Sequence, residues 1–160
     1  MRQTMHSPIR FLARLVLALS MLCAASAWAV DSEDTSSQSQ ANPDYVAAKA
    51  AIKAKNWKSA IQSLQKAAAV DAGNPDMQNL LGYSYRHIGQ FKEAFAHYKE
   101  ALRLNPRHRG AHEYIGEAYL QTNDLAKAQE HLAALDRLCM FPCEEYTDLK
   151  KSVEAYKRKK

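Results

Sequence analysis

The stretch NPDMQNLLGYSYRHIGQFKEAFAHYKEALRLNP, residues 74–106, decides the fold because its pattern returns at a fixed distance along the chain. A shift of 34 residues toward the C-terminus aligns residues of similar size and polarity, and only Pro106 is lost outright. The aligned pairs are Leu81 and Ile115, Gly82 and Gly116, Tyr85 and Tyr119, Ala94 and Ala128, Tyr98 and Leu132, and Ala101 and Leu135. A period of this length predicts a repeat protein.

A weaker copy precedes this stretch and carries small residues at most of the same positions. Ala48 takes the position of Gly82, and Ala60 takes that of Ala94. Small residues at such positions let two helices approach each other, while larger side chains at other repeat positions fill the space between neighbouring pairs. Trp57, Phe91 and Leu125 share one such position, and Val70, Leu104 and Leu138 share another. The chain therefore contains three copies of one helix pair.

These residues resemble the tetratricopeptide repeat, in which Leu-Gly-x2-Tyr is followed by Ala-x3-Phe and then Pro. The best match is residues 75–108, with Leu81, Gly82, Tyr85, Ala94, Tyr98 and Pro106 at the family's positions. The resemblance implies an all-α fold, an α-solenoid of three helix pairs over residues 42–142. The three repeats are residues 41–74, 75–108 and 109–142. Such an array needs a capping helix, and residues 143–160 supply an amphipathic one with a basic tail.

Composition supports a helical protein. Of the 160 residues, 47% are apolar, and only 5 are glycine and 5 proline, which excludes a wholly disordered chain and argues against a turn-rich sandwich. Two helix starts are visible, at Asn42-Pro43 and Asn74-Pro75, because Asn caps a helix and Pro suits its first position. Residues 30–41 are polar and lack aromatic side chains, so we expect a flexible linker there.

Residues 1–29 have the pattern of a cleavable signal peptide. Arg2, Arg10 and Arg14 lie before an apolar run, which is followed by the small-x-small sequence Ala27-Trp28-Ala29. The apolar run is shorter than the roughly 20 residues that cross a bilayer. We therefore expect cleavage after Ala29, export, and no stable membrane anchor afterwards. A periplasmic location follows as an expectation.

The charge of the chain changes when this segment is removed. The full sequence has 22 basic and 17 acidic residues, a formal charge of +5. Three of the basic residues and none of the acidic ones lie in residues 1–29, so the mature chain carries 19 against 17, a charge of +2. Nucleic-acid binding is not expected from a nearly neutral chain whose basic excess is concentrated in its tail.

The resemblance also implies a concave surface on which the first helix of each pair presents side chains to a bound peptide. The matching positions are Tyr45, Lys49 and Lys53, then Asn79, Tyr83, Arg86 and His87, then Glu113, Tyr114 and Glu117. This set is basic and aromatic at its start and acidic at its end, which favours a protein or peptide partner, with an ordinary solvated face as the alternative. We expect that removal of Tyr83 and Arg86 weakens binding with little loss of stability.

One specialised site of the family is absent from these positions. Members that clamp the C-terminal carboxylate of chaperone peptides carry a set of Lys, Asn and Arg residues. The corresponding residues here are Tyr45, Lys49, Leu80, Gly110 and Tyr114. Docking of cytosolic chaperones is therefore not expected.

The segment CMFPC, residues 139–143, lies between the last repeat and the cap. Pro142 interrupts a continuous helix, so a tight turn can bring the sulfurs of Cys139 and Cys143 together, and an oxidising compartment favours a structural disulfide. Two alternatives stay open at this point. The cysteines could be a redox-active pair, or they could bind Cu(I) together with Met140 and His131.

The sequence carries no signature of an enzyme. It has neither a phosphate-binding loop nor a dinucleotide fingerprint, and His112-Glu113 lacks the second His of a zinc protease. His108 and His112 straddle a helix start, so no metal site and no cofactor are expected. The sequence therefore predicts an interaction scaffold or assembly factor. The alternative class is a redox or copper-handling accessory protein that acts through Cys139 and Cys143.

Overall fold

Residues 42–159, the part of the chain that the computed structural model describes, fold into seven α-helices and contain no strand. The helices are α1 Pro43–Lys53, α2 Trp57–Val70, α3 Pro75–His87, α4 Phe91–Leu104, α5 Arg109–Gln121, α6 Leu125–Leu138 and α7 Glu144–Lys159. The all-α prediction is confirmed. The predicted signal peptide and linker, residues 1–29 and 30–41, lie outside the described residues.

Local capping explains where the first helices of the pairs begin. The side chain of Asn42 accepts hydrogen bonds from the backbone N–H groups of Asp44 and Tyr45, and Asn74 repeats this arrangement at α3. His108 takes the same role at α5, where its Nδ1 accepts from the backbone N–H of Ala111 at 3.1 Å. Each of these three side chains accepts from backbone N–H groups that have no partner inside the helix.

The turn inside each pair uses a left-handed residue at one fixed repeat position. Lys55, Gly89 and Asn123 have φ angles of 56°, 76° and 64°, and they are spaced by one repeat length. The residue after each of them donates its backbone N–H back into the preceding helix, as Gln90 does to the carbonyl of Tyr85 at 3.0 Å. Glycine adopts this conformation without steric cost, whereas a lysine is strained by it.

Close approach of α3 and α4 depends on Gly82. A Cβ atom at this position would lie 2.6 Å from the ring of Tyr98, which is fully buried. This confirms the expectation that Gly82 lets the helix approach its own partner. Gly116 departs from it, because a Cβ atom there would meet Leu149 of α7, also at 2.6 Å. The third repeat has the smaller Leu132 in place of Tyr98, and the cap fills the remaining space.

The cap α7 packs against both α5 and α6. Leu149 and Val153 are buried in the core that α7 shares with them, and Tyr146 and Tyr156 pack at its edge, so the apolar side of the predicted amphipathic helix faces the repeats. The opposite side of α7 is rich in exposed Lys and Glu. None of the helices between residues 42 and 159 is long and apolar enough to cross a membrane.

Candidate functional site

Four rings from three repeats form a continuous aromatic cluster, which consists of Trp57, Tyr83, His87 and Tyr114. Trp57 stacks on His87 with ring centroids 4.1 Å apart and planes 8° apart, and Tyr83 meets both of these rings edge-on. Tyr114 of α5 lies 4.9 Å from Tyr83 and extends the cluster into the third repeat. Unlike Tyr98 in the core, none of these four residues is buried. The cluster therefore presents aromatic surface to solvent.

Arg86 lies beneath the aromatic cluster and is itself only 6% exposed. Its guanidinium carbon is 5.4 Å from the Tyr83 ring centroid and 5.8 Å from that of Tyr114, and its Nη1 is 2.8 Å from a carboxylate oxygen of Glu117. Ser152 of α7 donates a further hydrogen bond to Glu117 at 3.4 Å. Arg86 thus joins two repeats, and its burial corrects its expected place on an accessible surface. In place of the earlier expectation, we predict that its removal lowers stability.

Four carboxylates gather where α5 meets the cap, and we call them the acidic group: Glu113, Glu117, Glu145 and Asp148. Burial first, and then the negative charges of Glu117, Asp148 and Glu145, raise the pKa of Glu113 to about 7, against the opposing effect of the positive charge of Arg86. Burial and the charge of Glu113 likewise raise the pKa of Tyr114 to about 12. These carboxylates therefore repel one another at neutral pH.

The remaining predicted residues do not join the aromatic cluster. Tyr45 is buried in the first core with Leu64 and Met77, because the small residues of the first repeat leave room for its ring. Lys49 lies over that ring, with its Nζ 4.7 Å from the centroid. Asn79 is only 6% exposed. Tyr45 and Asn79 are thus core residues in this structure, which corrects their expected place on an accessible surface.

Lys53 and Lys55 lie at the end of α1 and in the turn that follows, and both are exposed. The pKa of His87 is lowered by burial first, and then by the positive charges of Arg86 and Lys55. Lys55 is therefore close enough to the aromatic cluster to act on it electrostatically. Sequence reasoning missed both Lys55 and Trp57 as members of this surface.

A pair of histidines bridges α5 and α6. The Nδ1 atoms of His112 and His131 are 2.9 Å apart, and Nε2 of His112 is 3.1 Å from the carbonyl oxygen of Pro106. If His112 donates from Nε2 to that carbonyl, its Nδ1 accepts the proton of His131, and both rings are neutral. Burial first, then the charges of His112 and Lys127, lower the pKa of His131 to about 4. His108, by contrast, contacts Asp76.

Cys139 and Cys143 are bonded to each other in the connection between α6 and α7. The loop that they close presents Met140 and Phe141, whose exposed fractions are 94% and 81%. As a disulfide, the two cysteines offer no thiolate to a metal. Within the described residues, no group of three or more His, Cys, Asp or Glu side chains is arranged to hold a metal ion.

An open cleft lies beside the acidic group, between α5 and α7. Its volume is about 300 Å³, and Glu117, Leu120, Ser152, Ala155 and Tyr156 are among its lining residues. It adjoins the aromatic cluster through Glu117, the partner of Arg86.

The helix pairs, their glycine contacts and the cap define an all-α repeat protein of the tetratricopeptide class. Two models of the tetratricopeptide repeat match, one over residues 45–106 and the other over residues 88–138. The chain belongs to the tetratricopeptide repeat family.

Solved structures of this fold are similar to the chain at low sequence identity. The type III secretion translocator chaperone SycD of Yersinia enterocolitica is 22% identical with a TM-score of 0.65, over 72% of this chain and 82% of that one. PcrH in complex with the chaperone binding region of PopD is 20% identical with a TM-score of 0.65, over 80% and 95%. The first such domain of Spaghetti (RPAP3), bound to an HSP90 peptide, is 21% identical with a TM-score of 0.60, over 68% and 86%. The comparison with curated protein sequences gave no match.

Proposed function

We propose that this protein is a binding protein of the bacterial periplasm that holds an extended segment of another protein on the concave face of its repeats. The aromatic cluster carries this proposal. Four rings from three consecutive repeats touch one another, yet none is buried in the core. Aromatic side chains supply a large contact area with little loss of rotamer entropy, and they are enriched among residues that dominate binding energy.

Arg86 and Glu117 give this surface its rigidity. The guanidinium fixes Tyr83 and Tyr114 from below, and its ion pair with Glu117 fixes the spacing of α3 and α5. A surface that is already ordered loses less entropy when a partner binds. The similar structures support this function, since SycD is a translocator chaperone, and PcrH and Spaghetti (RPAP3) were solved with bound segments of other proteins.

A binding experiment tests this function. The protein is used to capture partners from the periplasmic fraction of its host, and each partner is then purified and titrated directly. The variant Tyr83→Ala with His87→Ala removes half of the aromatic cluster but leaves Arg86 in place. We expect it to weaken binding by about tenfold or more, since loss of one such anchor costs at least 1–2 kcal/mol. Phe141→Ala is the matched control, because it removes an exposed ring outside the cluster. Equal affinity of wild type and the double variant would contradict the proposal.

The periplasmic location is tested separately by the N-terminus of the mature protein. If the signal peptide is cleaved after Ala29, mass spectrometry of protein from the periplasmic fraction will find a chain that begins at Val30. Full-length protein in the cytoplasmic fraction would refute this part of the proposal.

The cysteine pair supports a second candidate, a redox accessory function. Cys139 and Cys143 are bonded and half-buried, in a loop whose Met140 and Phe141 side chains are exposed. The variant Cys139→Ser with Cys143→Ser distinguishes the two functions. If the pair only holds the cap in place, this variant keeps its partners, whereas loss of partners in this variant alone would favour the redox function.

A further inference from the structure

We propose that the bound segment is bipolar, with acidic side chains against the first repeat, apolar side chains on the aromatic cluster and basic side chains against the cap. This inference rests on the proposed function and adds the chemistry of the partner and its direction. It follows from opposite charges on the two sides of one aromatic surface.

The first-repeat side of the cluster is positive. Lys49, Lys53 and Lys55 are all exposed, and none of them forms an ion pair with a residue of the described chain. Within residues 42–159, the Lys49 ammonium contacts the Tyr45 ring. The negative charge of Asp76 acts on this ring, and that carboxylate already contacts His108 at 2.9 Å. An acidic side chain of a partner is therefore the group that these lysines lack.

The cap side of the cluster is negative. Glu117 is paired with Arg86, and Glu145 lies 3.5 Å from Arg109. Glu113 and Asp148 have no hydrogen bond or ion pair within residues 42–159. Arg86 and Arg109 are thus each paired with one of these four carboxylates, whereas Asp148 and Glu113, which is partly protonated at neutral pH because its pKa is about 7, have no paired counter-charge. A Lys or Arg side chain of a partner would supply it.

The arrangement selects for direction as well as composition. A bipolar segment in the matching direction meets an opposite charge at both ends of the aromatic cluster. The same segment in the reverse direction, or a segment that is acidic throughout, places like charges together at the cap, which costs affinity. Arg86 strengthens the discrimination, because it is committed to Glu117 and is not free to neutralise an acidic ligand.

Synthetic peptides provide the probe. Four peptides share one apolar centre with a single tyrosine and differ only in their ends. Two are bipolar, one with the acidic end first and one with the basic end first, so that both chain directions are covered. The third has acidic residues at both ends, and the fourth has glutamine at both ends. Affinity is measured by fluorescence anisotropy at low and at high salt.

We expect one bipolar peptide to bind about tenfold more tightly than the glutamine peptide at low salt and to lose this advantage at high salt, because exposed charges are screened. Neutralisation by Glu113→Gln with Asp148→Asn should remove the preference, whereas Glu154→Gln, an exposed carboxylate on the same cap helix, should keep it. Both neutral variants are isosteric, so their fold is checked simply by circular dichroism.

The outcomes separate this inference from the proposed function. Equal affinity for all four peptides, or the tightest binding by the acidic one, would overturn the bipolar inference while the protein still binds peptides. If no peptide binds, but the captured partner binds the double variant Tyr83→Ala with His87→Ala more weakly than the wild type, the bipolar inference fails and the proposed function stands. If those changes leave capture unaffected, the proposed function fails.

Discussion

Arg86 and Glu117 join the second repeat to the third through an ion pair of 2.8 Å that is largely removed from solvent. Truncation of one partner in such a pair leaves the other charge without compensation. We expect Arg86→Ala to lower the free energy of unfolding by about 2–3 kcal/mol, as measured by urea unfolding followed by circular dichroism. Arg103→Ala, which removes an exposed i,i+3 pair with Glu100, is the control and should change stability little. Equal effects of the two variants would show that Arg86 does not fix the repeats.

The two repeat glycines should respond differently to the same substitution. In Gly82→Ala the new methyl group meets the rigid ring of Tyr98, so we expect a cost of about 1–2 kcal/mol. In Gly116→Ala it meets the methyl ends of the flexible Leu149 side chain, which is also fully buried, and alanine favours the helix, so the net cost should be below about 1 kcal/mol. Thermal unfolding of both variants checks the order, and the reverse order would contradict the assigned contacts.

The left-handed turn position offers a substitution that stabilises. Lys55 has a φ of 56°, so Lys55→Gly relieves steric strain and should raise stability by up to about 1 kcal/mol. Gly89→Ala should do the opposite, because no atom within 4 Å would clash with a Cβ there and the φ of 76° alone imposes the cost. Chemical denaturation of each variant measures both effects. A destabilised Lys55→Gly protein would show that the lysine side chain makes a stabilising interaction.

The histidine pair should make the third repeat sensitive to acid. The pKa of His131 is lowered to about 4 in the folded protein and stands near 6.5 in the unfolded chain, so the unfolded state binds more protons between these values. Stability is therefore complete above about pH 6.5 and falls as the pH drops toward 4, by about 1–2 kcal/mol after solvent screening. The positive charge of Lys127 also lowers the pKa of His131. The positive charges of His108 and Arg137 lower the pKa of His112, so they act in the same direction.

The second repeat supplies the control for this prediction. Gln78 and His97 take the positions of His112 and His131, and their side chains are 2.8 Å apart. His112→Gln should therefore keep a neutral partner for His131 while it removes one proton-binding group. Its stability should fall less between pH 6.5 and 4 than that of the wild type. An unchanged pH profile would mean that the histidine pair does not control acid sensitivity.

Glu113 should produce the opposite dependence on pH. Its pKa is about 7 in the folded protein and near 4.5 when unfolded, so the folded state binds more protons and stability falls as the pH rises through 7. Glu113→Gln removes this loss and should stabilise the protein at pH 8 by about 1 kcal/mol, allowing for solvent screening of a half-exposed carboxyl. At pH 5 the two proteins should be alike. Measurement of urea midpoints at both pH values decides between these outcomes.

Much of the fold could be predicted because its determinants are local or periodic. Asn42 and Asn74 mark helix starts through hydrogen bonds to the next few residues, and Gly82 reports a close helix contact. The burial of Tyr45 and Arg86 could not be predicted in this way. It depends on which side chains of the neighbouring helices leave space, and repeat position alone does not encode that.

Two features of the site were missed for different reasons. Trp57 shares its repeat position with Phe91 and Leu125, which predicts a packing role, but in the first repeat the side chain at this position stacks on His87 and completes the aromatic cluster. The contact of His112 with His131 spans 19 residues, and no helical spacing predicts it. Comparison with Gln78 and His97 could have found it, since contacts in a repeat protein recur at the repeat length.

The cap has one more consequence, which concerns length. The helices α3, α5 and α7 lie side by side, and neighbouring helix axes are about 10 Å apart, so the part of the surface between the second repeat and the cap is about 20 Å wide. An extended chain covers this distance in about six residues. The outer side of α7 is exposed and charged, so it does not extend the aromatic and apolar surface. The capping helix thereby limits the size of the sequence motif that the protein can select.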